Sequence, residues 1–122
     1  MNLQIERKEK YISIELLEEK FLSNNNKDLK ETILDPANNS FRNIILDINK
    51  VKYIDSSGLS SILLAYKLCK SRNGILVICG ACDAVKTLIK ISQLDSILTT
   101  VPTIDEARDL IMMEELEKDI NA

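Results

Sequence analysis

The sequence of 122 residues contains no histidine. That removes the commonest general base near neutral pH and the commonest nitrogen ligand of transition metals, so hydrolase and metalloenzyme chemistry are disfavoured and no metal site is expected. Glycine occurs three times and proline twice, too rarely for a fibrous or low-complexity architecture. No apolar run approaches the roughly 18 residues that cross a bilayer, and Met1 to Lys10 is polar where a signal peptide carries its apolar stretch. A cytoplasmic protein without membrane insertion is expected. Sixteen Lys and Arg are scattered among nineteen Asp and Glu, with a formal net charge of -3 and a pI near 5.0. Without a basic stripe there is no footprint for direct nucleic-acid binding.

What the chain does have is a globular composition, 45% hydrophobic and 29% charged. At this length one core buries roughly two-thirds of the unfolded surface, so a single domain over residues 1–122 is expected, with no linker and no internal repeat. Leu3, Ile5, Ile12, Ile14 and Leu16 alternate with polar residues around Glu6 to Glu9, which predicts a hairpin with strands near 2–7 and 10–17. Ser23 to Asn26 offers N-cap side chains for a first helix carrying Leu22, Leu29, Ile33 and Leu34 and ending at Asp35-Pro36. The nearly continuous β-branched run Ile44 to Ile48 predicts a central strand covered on both faces.

After Val51, Tyr53 and Ile54 comes the polar turn Asp55-Ser56-Ser57-Gly58, and Leu59, Ile62, Leu63 and Tyr66 then recur at helical spacing. The pattern repeats. Asn73-Gly74 ends that helix, Ile75 to Cys79 predicts a strand, and Asp83 is placed to cap a helix carrying Val85, Leu88 and Ile89. A short strand is expected near Ile97 and Leu98, and Thr103-Ile104-Asp105-Glu106 has capping-box spacing before a last helix, with residues 113–122 expected to fray. The fold class is therefore α/β: an N-terminal hairpin followed by strand and helix units, in a mixed sheet of about five strands with about four helices.

Ser56 and Ser57 stand where a strand gives way to a helix, beside the N–H groups of the first turn that have no intrahelical partner. Such a place favours an anion, and a phosphate on either hydroxyl would be tolerated without unfolding. Gly58 leaves the backbone bare after the second serine, which would admit a bulky partner or a kinase. The plainer alternative is that Asp55 or Ser56 caps the helix and Gly58 serves a tight turn.

Ile54-Asp55-Ser56-Ser57-Gly58-Leu59, preceded by Ile44-Ile45-Leu46-Asp47-Ile48, resembles the signature of the STAS domains, the anti-sigma factor antagonist family. Gly80, Val85, Leu88, Leu94 and Thr103 to Ala107 fall where that family carries its later landmarks, so the resemblance covers roughly residues 40–110. It implies a non-enzymatic domain without a cofactor that binds an anti-sigma factor, itself a serine kinase of the histidine-kinase-like ATPase superfamily. Ser57 corresponds to the phosphoacceptor; phosphorylation releases the partner and a serine phosphatase restores binding. Asp55, Ser56, Ser57, Gly58 and Leu59 are the partner-binding residues so implied, with Leu59 supplying apolar contact. Many members carry an acidic residue in a Gly-x-Leu-Asp sequence after the second strand, whereas Leu17-Glu18-Glu19-Lys20-Phe21 stands here; Glu18 or Glu19 is a candidate substitute.

Two other functions compete. The same fold serves as a non-switching scaffold subunit in stressosome-like or lipid-transport assemblies, in which Ser57 would only cap. Cys79-Gly80-Ala81-Cys82 has the spacing of a dithiol redox pair, although nothing resembling the thioredoxin proline follows it. Cys69 lies on an apolar helix face and is expected to be inert. A catalytic role for Ser56 or Ser57 lacks a base, and Gly58 and Gly80 do not form a phosphate-binding glycine loop.

Overall fold

The alternating apolar residues at the N-terminus form a hairpin in the computed structural model, which describes residues 3–22 and 26–121. Strands β1 (Leu3–Arg7) and β2 (Ile12–Leu16) pair antiparallel with Ile5 opposite Ile14. They are followed by the short strand β3 (Lys20–Phe21), helix α1 (Lys27–Leu34), a 3-10 turn (Pro36–Asn38), β4 (Ile44–Asp47), β5 (Tyr53–Ile54) and α2 (Ser56–Ser71). The chain then runs through β6 (Leu76–Cys79), α3 (Asp83–Ile91), β7 (Thr99–Val101) and α4 (Ile104–Asn121). The main sheet has the order β1-β2-β4-β6-β7, parallel from β2 onward, while β3 and β5 form a separate two-stranded parallel pair.

Both faces of β4 and β6 are buried, which is why their sequences are apolar runs and not alternations. On one face Ile12, Ile14, Leu16, Ile44, Leu46, Leu76 and Ile78 meet the inner sides of α1, α2 and α3 in the larger core. On the other, Ile45, Val77 and Cys79 meet Ala107 and Ile111 of α4. The turn at Asp55 and helix α4 therefore belong to opposite sides of the sheet.

Four local expectations are corrected. The strand expected near Ile97 and Leu98 is Thr99–Val101; Leu98 N donates to Leu94 O in a turn, and its side chain plugs the larger core from the loop. Cys82, not Asp83, occupies the N-cap position of α3, with Asp83 in the first turn. Leu22 lies before α1, whose N-cap residue is Asn26 with a side chain that does not cap; Ser23, Asn24 and Asn25 lie outside the described residues. The fraying expected after Met113 is replaced by helix to Asn121, because Glu115 is 3% exposed and bound to Arg42 Nε (2.9 Å), Arg42 Nη2 and Asn43 Nδ2. Asn43 is itself buried and also bridges Lys10 O and Ile75 N, so the end of α4 is tied into the sheet.

Candidate functional site at the start of helix α2

Strand β5 is short because it pairs with an equally short β3, Lys20 beside Tyr53 and Phe21 beside Ile54. Lys52 N and Tyr53 N both donate to Glu19 O, at 2.7 and 3.0 Å, which aligns the two segments and aims the chain at Asp55. Asp55 is extended and caps α2: its Oδ1 accepts from Gly58 N at 2.8 Å, while its carbonyl accepts from Leu59 N at 3.0 Å. This anion at the positive end of a 16-residue helix is worth about 0.5–2 kcal/mol as a cap. The capping role weighed for Asp55 or Ser56 thus falls to Asp55, which leaves both serine side chains for other work.

Ser56 is exposed, and its carbonyl accepts from Ser60 Oγ at 2.9 Å. Ser57 is half-buried, and its Oγ accepts a 2.7 Å hydrogen bond from Asn26 Nδ2. Asn26 is 5% exposed, held by its own N–H to Leu22 O and by Lys30 N to its carbonyl. An asparagine at an N-cap ordinarily bonds its own helix; here the amide is spent on a residue 31 positions away.

Gly58 and Leu59 sit differently from their expected roles. A Cβ on Gly58 would lie 2.4 Å from Phe21 O and 2.9 Å from Ile54 Cγ1 and Phe21 Cδ2. The glycine admits β3, not an outside partner. Leu59 is 6% exposed in the larger core and cannot offer apolar surface. The exposed apolar group beside the turn is Tyr53, at 58%. From the sequence, Tyr53 is named only as a residue before the turn and is given no role; the polar Lys52 beside it is the signal available for an exposed edge. Of the candidate acids, Glu19 is exposed and pairs with Lys52 at 3.4 Å, and the Asn26 amide makes a side-chain contact to Ser57.

The cysteine pair does not have the character of a redox site. Cys79 is 1% exposed, and burial followed by the charge of Asp47 pushes its thiol up to about 12. Cys82 is half-buried with Sγ 3.9 Å from Lys52 O, and Cys69 is raised to about 12 by burial. A thiolate nucleophile needs the opposite displacement. Among the described residues no group of three or more His, Cys, Asp and Glu is arranged to hold a metal ion, and no helix is long and apolar enough to cross a membrane.

A family model described as the STAS domain matches residues 3–107. Among solved structures, the fold is shared with a candidate anti-sigma factor antagonist of Thermotoga maritima, at 22% identity and a TM-score of 0.80 over 90% of this chain and 94% of that one. The anti-sigma factor antagonist SpoIIAA in its unphosphorylated form matches at 17% identity and a TM-score of 0.74, over 91% of this chain and 96% of that one. The phosphorylated form of SpoIIAA, from Bacillus, matches at 17% identity and 0.69, over 90% and 99%.

Proposed function

The chain belongs to the STAS domain family, and from that premise we propose that it is a cytoplasmic anti-sigma factor antagonist, a partner-switching regulator controlled at Ser57. In this scheme the unmodified turn binds an anti-sigma factor that is a serine kinase of the histidine-kinase-like ATPase superfamily. The observation that carries it is the position of Ser57 Oγ, in the first turn of α2, partly open to solvent and oriented by Asn26. SpoIIAA, with the same fold, occurs in both an unphosphorylated and a phosphorylated form.

In the phosphoryl transfer, Ser57 Oγ forms a bond to the γ-phosphorus of ATP as the bond to the bridging oxygen breaks, ADP departs, and the hydroxyl proton passes to a base of the kinase. The product carries about -1.5 to -2 charge beside the Asp55 carboxylate. First-turn N–H groups and the helix dipole accommodate that charge within the domain. A partner surface fitted to a neutral hydroxyl would instead have to desolvate it, so the partner leaves and a serine phosphatase resets the switch. Tyr53 supplies the apolar contact that buried Leu59 cannot, since exposed aromatics anchor interfaces.

The test is phosphopeptide mapping of the protein from growing and stressed cells, with the peptide spanning Ser56 and Ser57 resolved, together with partner capture by Ser57→Ala and Ser57→Asp. Condition-dependent phosphate on Ser57, capture by the alanine variant and loss of capture by the aspartate variant are expected. An unmodified Ser57 under all conditions, with equal capture by both variants, would sink the switch and favour a constitutive scaffold.

A further inference from the structure

Beyond Ile111, the buried side chain of α4 is a carboxylate, Glu115, clamped by Arg42 and Asn43. Lys118 Nζ adds a bond to Asn73 O. This half of the helix contributes little to the core, yet it is held against the sheet by polar contacts with two other segments of the chain, at residues 42–43 and at Asn73. What the clamp presents outward is apolar: Met112 (48% exposed), Met113 (61%), Leu116 (60%) and Ile120 (73%) are half of the eight large hydrophobics exposed among the described residues. Their spacing puts them in one stripe on the side opposite Ala107 and Ile111. The stripe lies past residue 107, where the family match ends.

Negative charge predominates around it, since Lys118 is bonded to Asn73 O. Asp105, Glu106, Asp109, Glu117 and Asp119 are exposed on α4, and Arg108 is ion-paired with Asp105. A second copy docking stripe to stripe would set carboxylates against carboxylates, and an anionic bilayer would meet the same repulsion. A helix whose apolar side chains are flanked by lysine or arginine meets attraction on both counts, and methionine-rich faces adapt to such ligands.

We propose that the outer face of α4, centred on Leu116, is a docking site for a basic amphipathic helix of a partner protein. Because α4 and α2 pack on opposite sides of the sheet, this partner leaves the Ser57 turn uncovered, and both surfaces can be occupied together. The site does not depend on the function proposed for Ser57.

The experiment titrates the full chain into a fluorescently labelled synthetic amphipathic helix of leucine and lysine, with a leucine and glutamate helix as control. Saturable binding of the lysine peptide, weakened roughly tenfold or more by Leu116→Ser with Ile120→Ser, is expected. Circular dichroism of that variant should be unchanged, as both side chains are exposed. Equal binding of the glutamate peptide, or insensitivity to the double substitution, overturns the proposal. So does sedimentation showing a dimer that the substitutions dissociate, which would assign the face to a second copy. Vesicle binding abolished by the same substitutions, without peptide binding, would assign it to lipid.

Discussion

The amide of Asn26 and the hydroxyl of Ser57, 31 residues apart in the chain, lie 2.7 Å from each other, with the amide donating. The bond joins the start of α1 to the start of α2 and makes the Ser57 hydroxyl part of the fold as well as part of its surface.

Ser57→Ala is therefore expected to lower stability modestly, because the amide of Asn26, 5% exposed, loses its acceptor. A loss of about 1–3 kcal/mol is expected. Asn26→Ala should cost less, since Ser57 is half-buried and can bond water. Urea unfolding of both single variants and the double variant measures the coupling; strict additivity would mean that the contact contributes nothing.

Gly58→Ala should destabilise by about 1–3 kcal/mol through overpacking. The added methyl meets the Phe21 carbonyl at 2.4 Å, and a backbone atom cannot swing aside as a side-chain end can. A gain in the urea midpoint, the usual result of Gly→Ala in an open helix, would contradict the packing of β3 over α2.

Glu115 sets an acid limit. The hydrogen bond from Arg42, followed by that from Asn43, holds its carboxyl down to about 2 against the upward push of burial, from an ordinary value of 4.5. Since the folded-state value lies below the unfolded one, the stabilisation is complete above the ordinary carboxylate range and is lost as pH falls through 4.5 toward 2. Between about pH 6 and pH 2 the wild type should lose roughly 2–3 kcal/mol that Glu115→Gln does not lose over the same range. The variant should be less stable at neutral pH, because Arg42 and Asn43 keep only a neutral partner. Parallel curves of stability against pH for the two proteins would refute the clamp.

Alkylation separates the three thiols. With Cys69 and Cys79 each raised to about 12 by burial, iodoacetamide at neutral pH should add once to the native protein, at Cys82, and three times after denaturation. Rapid double labelling of Cys79 and Cys82 in the native state would revive the dithiol alternative.

Periodicity and composition alone determined the hairpin of β1 and β2, the buried β4 and β6, the helix opening at Asp55, and the family signature from Ile54 to Leu59. These are local properties: side-chain alternation, apolar runs and capping residues act over a few positions and leave their mark in order along the chain. Only the tertiary structure decided which groups meet. Nothing near Gly58 in sequence indicates that Phe21 crosses it, nothing near Asn26 indicates that its amide reaches Ser57, and nothing in the acidic end of α4 indicates that Arg42 holds Glu115. Each of these contacts joins segments separated by 31 or more residues, where pairing depends on how the elements are stacked. The exchange of Leu59 for Tyr53 as the exposed apolar group has the same cause, since burial follows from how β3, β5 and α2 pack and not from side-chain hydrophobicity alone.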